Sequence, residues 1–182
     1  MDEKLKSELI SWSKSIAIAF LFVFIFHQFI FTPIKVQGES MFPTLEENDK
    51  IIVSKLSKIN RFDVIVFDAP DAVDLLYVKR VIGIAGDRIE MVDDVLFVNG
   101  KEYGELYVNR EKQSGKTRRV TGDFTLREVT GSEFVPEGYV FVLGDHRLKS
   151  NDSRSFGFVS DKKIVGKVNF RFYPLEEMGF PK

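Results

Sequence analysis

The chain has 182 residues, with 26 Lys and Arg against 27 Asp and Glu, a formal net charge of −1 at pH 7. So even a balance gives no electrostatic pull toward nucleic acid; the one basic cluster, Lys112–Arg119, reads as a solvated loop. Cysteine is absent and the two histidines, His27 and His146, are separated by most of the chain, so disulfides, thiol chemistry, a metal site and any other cofactor are not expected.

The first element is apolar. Ile16 to Phe26 carries no polar side chain; His27, Gln28 and Phe29–Phe31 follow, and Pro33 closes the segment. A spanning helix needs about 20 mostly apolar residues to cross about 30 Å of hydrocarbon. A cleaved leader would end in a small-x-small site, but Phe29, Ile30, Phe31 and Pro33 stand there. A buried helix would show a polar face. The segment therefore reads as an uncleaved transmembrane anchor at 15–32. Lys4, Lys6 and Lys14 precede it and Lys35 follows, which predicts a cytoplasmic stretch at 1–14 and an extracytoplasmic domain at 33–182. The chain would then be a single-pass protein of the cell membrane, in contact with lipid. His27 and Gln28 read either as interfacial residues or as an intramembrane functional pair.

Beyond the anchor, short β-branched runs alternate with turns. Strands are expected at Ile34–Gln37, Lys50–Ser54, Val64–Phe67, Leu75–Ile84, Arg88–Val92, Val95–Val98, Lys101–Tyr103, Tyr139–Leu143 and Lys163–Phe172. Asn99-Gly100 is a two-residue hairpin signal, and Asp93-Asp94, Gly86-Asp87 and Pro136–Gly138 mark turns. Weak helical periodicity appears around Phe124–Phe134. The fold class is mostly β: a core of coiled antiparallel sheets after the N-terminal helix, with a small inserted lobe at about 100–137.

Two residues stand out in this frame. Ser40 sits in Gly38-Glu39-Ser40-Met41-Phe42-Pro43-Thr44. A serine hydroxyl needs a base to become a nucleophile; alone, this one reads equally as a turn serine. Lys79 lies on an apolar strand, sharing a face with Tyr77 and Val81. Dry surroundings would strip its proton near neutral pH and make it a base; alone, it reads as a snorkelling lysine. Arg80 points the other way, to solvent or to a carboxylate. Met41 and Phe42 read either as core or as side chains dipping into the membrane interface. A third stretch, Gly144–Arg154, is dense in groups that bond one another: Asp145, Arg147, Asp152 and Arg154 can form charge-assisted pairs, and Ser150 or Ser153 can orient an amine.

Together the three stretches resemble the bacterial type I signal peptidases, membrane-bound Ser/Lys endopeptidases, and in particular the smaller Gram-positive enzymes. Ser40-Met41-Phe42-Pro43 matches the family's Ser-Met-x-Pro motif. Lys79–Asp87 matches Lys-Arg-Val-x-Gly-x-x-Gly-Asp, and Gly144–Arg147 with Ser150–Arg154 matches Gly-Asp-Asn-Arg followed by Ser-x-Asp-Ser-Arg. The resemblance implies that Ser40 attacks the scissile carbonyl and supplies a backbone N–H to the oxyanion. Lys79 is then the general base, Ser150 orients its amine, and Asp145, Arg147, Asp152 and Arg154 hold the late loop. Two positions depart from the pattern. His146 replaces the usual asparagine, and Gly38 stands where some members carry a serine whose hydroxyl joins the oxyanion hole.

The implied substrate is the signal peptide of a secreted preprotein, met near the secretion channel. Its extended cleavage region would add as a strand between Ile34–Gly38 and Leu75–Lys79, touching Ile34, Val36, Gly38, Leu76 and Tyr77. Small side chains at −1 and −3 would share one strand face and fill shallow pockets. Two rival readings are a self-cleaving Ser/Lys protease of the repressor type, which lacks an anchor, and an inactive peptide-binding module, which would lack Ser40 or Lys79.

Overall fold

The computed structural model describes residues 3–29, 31–114 and 119–181. Met1 and Asp2 of the expected cytoplasmic stretch, Ile30 of the expected anchor and residues 115–118 of the basic cluster lie outside them. The N-terminal segment is helical, but helix α1 (Glu3–Phe29) starts well before residue 15. Its first half, Glu3–Ser15, is rich in Lys, Glu and Ser, so the apolar stretch occupies only the second half. Among the described residues no helix is long and apolar enough to cross a membrane, and the transmembrane expectation for 15–32 gains no support from them.

The rest is antiparallel sheet, as the alternating runs predict. In chain order the described strands are β1 (Phe31–Lys35), β2 (Lys50–Ser54), β3 (Val64–Asp68), β4 (Leu76–Gly83), β5 (Ile89–Val92), β6 (Val95–Val98), β7 (Lys101–Tyr103), β8 (Phe124–Thr125), β9 (Tyr139–Leu143), β10 (Val159–Ser160) and β11 (Ile164–Tyr173). Short helices α2 (Arg110–Ser114), α3 (Leu126–Thr130) and α4 (Ser153–Phe156) lie between them. A seven-stranded sheet runs β1-β2-β11-β3-β4-β9-β10, and a four-stranded sheet runs β7-β6-β5-β8.

The turns follow their residues. Asp93 and Asp94 (φ 53° and 63°) join β5 to β6, and Asn99 and Gly100 (φ 55° and 77°) join β6 to β7; paired positive φ values match the right-handed twist of hairpin strands. The second sheet begins at Ile89, earlier than the lobe expected at about 100–137, because β5 pairs with β6 across the first hairpin and with β8 on its other side. The weak periodicity near Phe124–Phe134 resolves into α3, one turn closed by a capping box between Thr125 and Glu128.

Core packing places the strands around Ser40 and Lys79. Val64 and Val66 of β3 join one apolar cluster with Met41, Leu45 and Val53, while Ile65 and Phe67 join another with Val81 and Val142. Both faces of β3 are thus covered, which is why Val64–Phe67 is a continuous apolar run. Strand β4 is likewise held from both sides, Val81 in one cluster and Ile82 in a third with Ile89 and Phe141. Met41, 1 % exposed, is a core residue and fixes the loop carrying Ser40.

Candidate active site

Strand β4 changes its surroundings halfway along. One edge pairs with β3 from Leu76 to Arg80. The other pairs with β9 only from Arg80 to Gly83, so no described strand covers Leu76–Lys79 on that side. Lys79 stands at this junction, 3 % exposed, and its Nζ donates to Ser40 Oγ at 2.7 Å and to the Val78 carbonyl at 3.1 Å. The Tyr77 ring centroid lies 5.1 Å from the same nitrogen. Burial drives the Lys79 pKa down from 10.5 to about 8, against the pull of the Asp152, Asp145 and Asp71 carboxylates, which favour the charged form. A deprotonated amine in this position accepts from the serine hydroxyl instead of donating to it, which makes the pair capable of proton abstraction.

The flanking arginine turns inward. Arg80, 3 % exposed, holds the fully buried Asp145 by two hydrogen bonds, Nε to Oδ1 at 2.9 Å and Nη2 to Oδ2 at 2.6 Å. Thr44 donates its hydroxyl to Asp145 Oδ2 at 2.5 Å. All three motifs therefore meet at one carboxylate. Arg147 finds its counter-ion outside its own loop: its guanidinium pairs with Glu105 from the second sheet's side, while its Nε donates to the Gly144 carbonyl at 3.0 Å. Asp152 and Arg154 pair with each other at 2.8 and 2.9 Å, and Asp152 also accepts the Gly144 N–H. Glu105, 5 % exposed, is the site residue that sequence reasoning missed. The only hint is a lone carboxylate after the Tyr103-Gly104 turn.

Ser150 lies close to the pair without joining it. A Cβ added at Gly144 would stand 2.1 Å from Ser150 Oγ and 2.5 Å from the Ser40 carbonyl oxygen, so both flank the Gly144 Cα. The hydroxyl is buried and makes no hydrogen bond, to Lys79 or to any other described group. The backbone N–H of His146 donates to the Ser40 carbonyl at 3.0 Å, and the imidazole Nδ1 lies 3.2 Å from the Glu39 carbonyl. It is a clasp for the serine loop.

A cleft of ≈ 440 Å³ leads up to the pair between the β1 extension and the open edge of β4. Ile34, Val36, Gly38, Leu76 and Tyr77 all line it. Val36, however, is 3 % exposed, and its N–H and C=O bond Asp49 and Asn48. By strand alternation the backbone groups facing the cleft belong to Lys35 and Gln37. Gly38 has φ 76° with open space around it, a left-handed conformation that glycine adopts at no steric cost. No group of His, Asp and Glu able to hold a metal occurs among the described residues.

Comparison with known proteins decides what this geometry belongs to. Residues 9–173 match the family model described as "Signal peptidase, peptidase S26". The chain belongs to that family. "Signal peptidase I" of Bacillus caldolyticus is 53 % identical over 156 residues, 84 % of this chain and 85 % of that one. "Signal peptidase IB" of Staphylococcus aureus (strain MRSA252) is 41 % identical over 184 residues, 97 % and 95 % of the two chains. The crystal structure of a signal peptidase I from Enterococcus faecalis V583 aligns with TM-score 0.57 and 43 % identity, over 61 % of this chain and 97 % of that chain. Membership in the family makes the protein a serine endopeptidase.

Proposed function

We propose that the chain removes signal peptides from secreted preproteins, with Ser40 as nucleophile and Lys79 as general base. The observation that carries this reading is the 2.7 Å contact between Lys79 Nζ and Ser40 Oγ at the point where β4 loses its second neighbour. An extended peptide laid on the open edge of β4 brings a carbonyl to the serine hydroxyl. Neutral Lys79 takes the hydroxyl proton as the Oγ–carbonyl bond forms. The oxyanion faces the Ser40 N–H. The ammonium so formed returns its proton to the leaving amine as the C–N bond breaks, and water then hydrolyses the ester, with Lys79 again taking a proton.

Side chains at −1 and −3 share a face of the bound strand and lie over the cleft floor between Gly38 and Leu76. Ser150 approaches the amine once substrate is seated, its hydroxyl being already buried with no competing partner. Asp145, Arg147, Asp152 and Arg154 act through the ion pairs that fix their loop.

The cell membrane is the proposed location, with α1 as anchor, the N-terminus cytoplasmic and 33–182 outside, close to lipid and to the secretion channel. Membership in the family and the exposed Trp12, Ile16, Ile18, Phe20 and Val23 of α1 support this. Anchoring raises the effective concentration of a substrate held in the same bilayer.

The test is incubation of the full chain in detergent micelles with a preprotein, followed by N-terminal sequencing of the product. A single new N-terminus immediately after a small residue is expected; Ser40→Ala and Lys79→Ala yield none. Intact preprotein with the unaltered enzyme, or cleavage by either variant, rejects the assignment.

A further inference from the structure

The first cleft ends at Ser40 and Lys79, because β9 occupies the edge of β4 from Arg80 onward. A peptide whose scissile bond sits at Ser40 must therefore leave the cleft sideways, past the late loop. A second cleft of ≈ 430 Å³ opens there. The two share Glu39 and Lys149, which form an exposed ion pair at 2.9 Å directly beside the nucleophile. The second cleft has an aromatic floor, the Phe42 and His146 rings with centroids 5.8 Å apart. Lys112 lies over the Phe42 ring at 5.5 Å. The far wall carries two exposed carboxylates, Glu46 and Glu47, and neither makes an ion pair among the described residues.

We infer that this second cleft binds the first residues of the mature chain, on the carboxyl side of the cut, and that Glu46 and Glu47 make it select cationic over acidic side chains there. The inference rests on the signal-peptide reading above and adds to it a determinant beyond the small residues at −1 and −3. The charges explain the direction. Among the described lining residues Lys149 is engaged by Glu39 and Lys112 is the one further lysine or arginine, so there two carboxylates face one ammonium. Side chains at alternate positions of an extended chain point the same way, so the second mature residue meets that wall while its neighbours turn to the ring floor or to solvent.

The experiment uses the full chain in detergent micelles and peptides spanning a cleavage site, identical except for Lys, Gln or Glu at the second mature residue. The Lys peptide should exceed the Glu peptide in kcat/KM by about twofold to fivefold, the size expected for exposed charge pairs. Glu46→Gln/Glu47→Gln should bring that ratio close to one, and Glu46→Lys/Glu47→Lys should invert it. Discrimination between Ala and Val at −1, which the first cleft sets, should stay the same in both variants. The unaltered enzyme supplies an independent reading: raising ionic strength from about 0.01 M to about 1 M should erase its preference, since the screening length falls from about 30 Å to about 3 Å. Equal rates for the Lys and Glu peptides at low salt, or a preference that survives both variants, overturns the inference while leaving signal-peptide cleavage intact. Failure to cut any of the peptides removes the underlying reading and this one with it.

Discussion

Arg80 and Asp145 face each other through two hydrogen bonds, 2.9 and 2.6 Å, with side chains only 4 % and 0 % exposed. The arginine directly follows Lys79 in sequence, and the aspartate lies five residues before Ser150. Their bond is thus the register pin between the strand carrying Lys79 and the loop carrying Ser150. Removing one partner leaves the other buried and charged without the carboxylate or guanidinium that faces it. Arg80→Ala or Asp145→Ala should each lower stability by about 3–5 kcal/mol, read by chemical denaturation of the full chain in micelles. The paired change Arg80→Met/Asp145→Leu should recover much of that stability but not turnover, because apolar contact does not fix the register.

Lys79 gives a pH dependence with a defined sign. Activity needs the neutral amine, so kcat/KM should rise with pH through an apparent pKa near 8. Stability follows the same group. Below about 8 both folded and unfolded lysine hold the proton, and the cost of burying the charge is fully present. Between about 8 and 10.5 the folded chain has released a proton that the unfolded chain retains, so stability climbs with pH until both are neutral. Lys79→Met should abolish cleavage, flatten that climb and stabilise the fold by up to roughly 3 kcal/mol at pH 7. A variant that cuts at alkaline pH, or that keeps the climb, shows that the titrating group lies elsewhere.

Ser150→Ala separates catalysis from stability. Its hydroxyl is buried without a partner, so its loss removes an unsatisfied polar group and should leave stability unchanged or slightly raised. Turnover should nonetheless fall about 10- to 1,000-fold, the effect of losing one positioned donor, with KM little altered. An unchanged kcat removes the orienting role.

Gly144→Ala is the steric counterpart. The new methyl would meet Ser150 Oγ at 2.1 Å and the Ser40 carbonyl at 2.5 Å, closer than real Cβ contacts allow. Relief requires moving the nucleophile's backbone or Ser150, and a displacement near 1 Å can cost about 100-fold in rate. Overpacking should also lower stability by about 1–3 kcal/mol. Full activity would show that the loop yields at no cost.

Most of the sheet was legible because its strands obey local rules. Lys50–Ser54, Val95–Val98 and Tyr139–Leu143, short β-branched or aromatic runs between turn residues, have the expected bounds, as does Lys101–Tyr103, placed by the hairpin turn before it. The Asn99-Gly100 hairpin needed only its dipeptide. Long-range pairing was not legible. Nothing near Glu105 announces that it meets Arg147, 42 residues away, and nothing in Val36 reveals that Asn48 and Asp49 take its backbone groups. The two-residue β8 is too short to carry a period, and it exists because β5 offers an edge to it. The proximity of Ser40 and Lys79 was an inference from motif order; only the fold of β3 and β4 around the Met41 loop puts them together.

The half-covered edge of β4 has a consequence for timing. A guest chain that pairs along Leu76–Lys79 completes the sheet and seals the remaining path by which solvent reaches the amine. Drier surroundings lower the proton affinity of an amine further. Cargo that fits therefore ripens the very base that will cut it, and an idle enzyme holds its weapon largely sheathed.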